Sequence, residues 1–168
     1  MSQKKYSRLM IMHGAVIAAA YVALTVVFAP ISFDAAQVRV SESLAILPMF
    51  TAAAVPGLAV GCLLANIAGG APLPDVIFGS LATFVGAVGT RRLRNRKPVV
   101  AVIPPIAANM LVVPFILRYA YGVALPIPLM MASVALGEAL SCGILGLLLY
   151  KALYAHRKDI FKEEGEDE

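Results

Sequence analysis

Polar side chains that interrupt long apolar runs mark where this chain could do chemistry: Glu42, Asn66, Asn109 and Glu138, with Arg39 and Gln37 just ahead of the first. A carboxylate near the middle of a bilayer costs about 3 kcal/mol on insertion scales, so it should face a cavity or a partner. Carboxylates accept hydrogen bonds from paired N–H donors, and carboxamides both donate and accept. Nothing beside them supports bond making. There is no His-Glu-x-x-His pair, no G-x-x-x-x-G-K-[ST] loop, and no nucleophile with a base next to it. Catalytic residues, metal ligands and a cofactor site are therefore not expected. Recognition of a small molecule is.

The elements that must position these groups are membrane spans. Of the 168 residues 60% are hydrophobic and 14% charged, with mean hydropathy +0.83. A soluble domain sits nearer 45–50% and about 25%. The expected fold is an all-α integral membrane protein with six transmembrane helices. Its parts are a cytoplasmic tail over 1–7, one six-helix domain over 8–158, and an acidic, disordered tail over 159–168. The first span, 8–29, has the length of a full crossing and lacks a signal-peptide cleavage site. Spans two and three, from near Ser41 and Pro56, are only ~14 residues, or ~21 Å, so tilt, bilayer thinning or helical extension is expected. Asp75 stands where an N-cap would open the fourth span. The fifth, 98–117, carries Pro104, Pro105 and Pro114, whose freed carbonyls must be buried or face a cavity. The sixth runs over 128–154. Cys62 and Cys142 fall inside apolar segments and read as buried thiols without a disulfide role.

The net charge of +4 is explained by orientation, with no nucleic acid implied. Lys4, Lys5 and Arg8, the basic loop 91–97, and Lys151, Arg157 and Lys158 fall on one side of a six-span protein. Both termini are then cytoplasmic. Helical rise places Glu42 at the outer end of its span, Asn66 ~6 Å below the rim, Asn109 ~13 Å and Glu138 ~16 Å. That distribution suits a pocket loaded from outside, with loop residues Gln37 and Arg39 over its mouth. Each residue also has a plain structural reading. In that reading Glu138 is a buried structural carboxylate, protonated or paired with an arginine, and Glu42 a solvated rim charge paired with Arg39. Asn66 and Asn109 then satisfy helix–helix bonds or the carbonyls freed by Pro105. On the first span Ala15, Ala19 and Ala23 form a stripe of small side chains that lets a helix approach closely, from this chain or another.

Six segments in order carry a resemblance: Ala-Ala-Ala-Tyr-Val-Ala-Leu-Thr (18–25), Phe-Ala-Pro-Ile-Ser-Phe (28–33), Gln-Val-Arg-Val-Ser-Glu-Ser-Leu (37–44), Pro-Gly-Leu-Ala-Val-Gly-Cys-Leu-Leu-Ala-Asn (56–66), Phe-Gly-Ser-Leu-Ala-Thr (78–83) and Gly-Glu (137–138). Together they resemble the QueT family, substrate-binding S components of energy-coupling factor transporters. The resemblance implies an S-component-like bundle in the cell membrane. It would bind a queuosine precursor, a 7-deazaguanine with a nitrile or aminomethyl group. It would work with a transmembrane coupling protein and two cytoplasmic ATPases, the coupling protein meeting Ala15, Ala19 and Ala23. For that ligand Glu138 or Glu42 would accept two adjacent N–H donors. Asn109, Asn66 or Gln37 would meet the ring carbonyl and N3, and Phe33, Phe28 or Tyr119 would lie on the ring. Three alternatives stand beside it: an S component for another vitamin, an intramembrane enzyme using Glu138 as acid or base, and a structural subunit with no ligand.

Overall fold

The computed structural model describes residues 3–28 and 39–161, with side chains described for 8–28, 39–157 and 160–161. Among the described residues every regular element is helical. Six segments follow one another, numbered here α1 to α6. The first is α1, Gln3–Val27, then α2, Val40–Met49, and α3, Ala54–Ala68. α4 covers 73–92, α5 Pro98–Tyr119 and α6 127–160. Among the described residues three helices are long and apolar enough to cross a membrane: Arg8–Val27, Pro98–Tyr119 and Ile127–Arg157.

The short second span is resolved in an unexpected way. α2 is a 3-10 helix of ten residues with Pro48 inside it. At about 2.0 Å per residue it reaches roughly 20 Å, where an α-helix of that length would reach about 15 Å. Ser41 to Pro48 are all buried, so α2 is an interior strut that meets protein on every side and need not match the bilayer. α3, with 15 residues, gives ~22 Å.

Small residues set the packing. α1 lies chiefly against α3, and a Cβ on Gly57 would come within 2.7 Å of the Gly14 carbonyl oxygen. α4 crosses α5 with Gly86 against Pro105, where a Cβ would lie 2.6 Å from the proline Cα. Pro105 thus sits in a notch of α4, and Pro104 sits likewise against Gly89. Because Pro105 has no N–H, the Ala101 carbonyl loses its helical donor. The Thr90 hydroxyl of α4 donates to it instead at 2.9 Å. Neither Asn66 nor Asn109 serves that carbonyl.

The largest core cluster joins Ile17 and Tyr21 of α1 to Leu44 and Leu47 of α2 and to Leu58, Cys62 and Ala65 of α3. At the Arg91 end of the bundle, Phe50 stacks on Tyr150 at 5.0 Å and on Phe161 at 5.4 Å, tying α2 to the end of α6. α2 therefore runs from that aromatic stack to the polar residues at its other end.

Candidate binding site

Glu42 stands in the first turn of α2 and is 1% exposed. The Tyr21 hydroxyl of α1 donates to its Oε1, and the Thr83 hydroxyl of α4 lies 3.3 Å from the same oxygen. Oε2 is buried without a hydrogen-bond partner. Across from it, Asn109 Nδ2 of α5 donates to Glu138 Oε1 of α6 at 2.8 Å. The Cys142 thiol lies 3.2 Å from Glu138 Oε2 and 3.3 Å from the Glu42 backbone carbonyl. Glu42, Glu138 and Cys142 offer ligand atoms all within 4.8 Å of one another. Glu138 itself is 3% exposed. No arginine pairs with it among the described residues.

A second cluster centres on Asp75 at the start of α4, 1% exposed. Asp75 is not a cap. The helix already includes Leu73 and Pro74, Asp75 lies inside it at the start of a π-wound turn over Asp75–Gly79, and no side-chain cap bond is made there. The Asp75 carboxylate pairs with Arg39 at 3.0 Å and accepts the Tyr121 hydroxyl at 2.7 Å. Asn66 Nδ2 donates to the Asp75 backbone carbonyl at 3.1 Å. A Cβ at Gly79 would meet Asp75 Oδ1 at 2.4 Å, so glycine makes room for this carboxylate. Burial first, then the bond to Asp75 and that carboxylate's charge, hold the Tyr121 phenol well above its usual range. It therefore stays a donor.

The expected set is thus divided. Glu42, Glu138 and Asn109 come together in one cluster. Arg39 takes Asp75 as its partner in place of Glu42, and Asn66 steadies Asp75. Tyr119 is 79% exposed and lines an apolar groove with Phe78 and Phe115; Tyr121, two residues on, is the one that reaches inward. Gln37 and Phe33 lie outside the described residues. From the sequence Asp75 reads as a cap and Cys142 as a buried thiol, and Tyr21, Thr83 and Tyr121 are not among the expected site residues. The available signal was faint: Tyr21 and Thr83 fall in two of the recurring segments, and Cys142 lies one turn beyond Glu138. Both clusters adjoin π-wound stretches, Asp75–Gly79 and Ala139–Leu145, a winding that often accompanies functional sites.

Ala15, Ala19 and Ala23 are exposed. With Val22, Val60 and Leu64 they line a groove of about 610 Å³ between α1 and α3. Both cysteines are buried free thiols.

Among the described residues the protein is all-helical, with three helices long and apolar enough to cross a membrane and carboxylates and carboxamides buried between helices. The profile of the QueT transporter family matches residues 11–155, and the chain belongs to that family. No curated protein and no solved structure matches it.

Proposed function

We propose that the chain is the substrate-binding S component of an energy-coupling factor transporter and takes up a queuosine precursor of the 7-deazaguanine class. The observation that carries this is the Glu138–Asn109 pair, buried and 2.8 Å apart, beside Glu42. A guanine-like edge presents two adjacent N–H donors and a neighbouring carbonyl. A carboxylate and a carboxamide on facing helices complement that edge. Asn109 would move its donor from Glu138 to the ring carbonyl, and Glu138 would accept the two N–H groups. Gln37 and Arg39 would finish the site from the loop above, with Phe33 or Phe28 on the ring. Tyr119 is better suited to the membrane surface.

Both termini would be cytoplasmic, since Arg8, the loop 91–97 and Lys151 with Arg157 then lie on the positive side. The Asp75 end opens outward in that orientation, in a multi-pass protein of the cell membrane. The groove lined by Ala15, Ala19 and Ala23 supports docking of a transmembrane coupling protein, to which two cytoplasmic ATPases would deliver the energy. Its small side chains admit a partner helix at backbone distance.

Equilibrium binding of 7-deazaguanines to purified protein, repeated with Glu138→Gln and Glu42→Gln, tests this reading. Affinity should fall at least ~10-fold in Glu138→Gln, the loss expected when a charge-assisted bond becomes a neutral one. Unchanged affinity in both variants contradicts it. One observation favours a second reading: the Cys142 thiol, 3.2 Å from Glu138, supplies the neighbouring group that acid–base chemistry would need. Recovery of ligand with altered mass would support that; recovery unaltered supports transport.

A further inference from the structure

Four groups that ordinarily carry charge are buried in the two clusters: Arg39, Glu42, Asp75 and Glu138. Arg39 and Asp75 pair at 3.0 Å. Glu42 and Glu138 are left facing each other, with oxygens inside the 4.8 Å group they form with Cys142. Every hydrogen-bond donor to their carboxylates is neutral: Tyr21 and Thr83 on Glu42, Asn109 and Cys142 on Glu138. Neutral donors do not cancel charge, and two like charges this close in a dry interior disfavour each other strongly. Glu42 Oε2, moreover, has no donor at all. Buried acceptors are nearly always satisfied, and an exception calls for an explanation.

We infer that Glu42 receives a positively charged nitrogen of the ligand, a primary ammonium seated on its unpartnered Oε2, while Glu138 keeps the guanine-like edge. An ammonium brings three N–H donors and a charge; a divalent metal ion brings charge alone. The ammonium's N–H donors meet the one oxygen of the two carboxylates that lacks a donor. The inference rests on the deazaguanine reading above and selects within it. A 7-aminomethyl group supplies the cation. A 7-nitrile ends in a lone pair and would set acceptor against acceptor at Glu42.

Titration calorimetry of the purified full chain with 7-aminomethyl- and 7-cyano-7-deazaguanine at one pH tests this. The aminomethyl ligand should bind roughly 10- to 100-fold more tightly, the scale of one charge-assisted bond. Glu42→Gln should bring the two affinities within about threefold of each other, mainly by weakening the aminomethyl ligand. The wild-type ratio is informative even if the variant does not fold. Equal binding, or tighter binding of the nitrile, overturns the ammonium seat and leaves the deazaguanine reading standing. A preference that survives in folded Glu42→Gln also overturns it, because the cation then sits elsewhere. If neither ligand binds, both readings fall.

Discussion

Asp75 shows how much one side chain can organise. Its carboxylate gathers Arg39 from the start of α2 and Tyr121 from beyond α5, while Asn66 of α3 holds its backbone. Breaking a buried pair from one side strands the other charge, which typically costs 3–5 kcal/mol. Arg39→Met should therefore lower the thermal midpoint in detergent strongly, by about that stability. Arg39→Met with Asp75→Leu should recover much of the loss. Tyr121 adds a pH dependence. Its folded value is raised, so its contribution is intact below the unfolded value of about 10 and fades as pH climbs above that toward the folded value. Melting curves from pH 9 to 11 should fall more steeply in wild type than in Tyr121→Phe; parallel curves would place the phenol outside the pair. At this scale the sequence was partly legible. Glu138 and Asn109 stood out because apolar flanks make a polar residue conspicuous. Asp75 did not, because an aspartate after Leu-Pro is equally well explained as a cap. Tyr21 was hidden by its type, since a tyrosine in a span reads as core until its hydroxyl is seen on Glu42.

Six helical segments and their order could be anticipated because breakers and charges punctuate apolar runs. The winding of α2 could not. A ten-residue 3-10 helix with a buried circumference is held by what surrounds it, and tertiary packing overrides the α preference that its Leu and Ala residues would express alone. The prolines of α5 taught a related lesson, for the residue that answers Pro105 lies on another helix. Thr90→Val should orphan the Ala101 carbonyl and cost about 1–3 kcal/mol, while Thr90→Ser should cost less than half of that. Denaturation in mixed micelles measures both, and equal losses would assign Thr90 a packing role only. Close approach of α1 and α3 is likewise specific: Gly57→Val drives a side chain into the Gly14 backbone and should unfold the pair or force it apart, read as loss of the folded monomer on size exclusion.

For the whole molecule, the proposed binding and coupling would occupy different places. The carboxylate cluster lies among α1, α2, α4, α5 and α6, whereas the alanine groove faces outward between α1 and α3. Ala19→Leu should thus leave ligand affinity within about twofold yet abolish co-purification with a coupling protein and uptake in cells, because a leucine fills the line of closest approach. Family membership, residues 11–155, makes transport the common frame for both surfaces. Native mass spectrometry of wild-type protein released from detergent, after expression with and without added 7-deazaguanines, decides whether the buried cluster is a binding site for this class. A bound 7-deazaguanine mass, released intact on unfolding and lost in Glu138→Gln, is the predicted result. Folded protein that never carries such a molecule, even at saturating ligand, would contradict it.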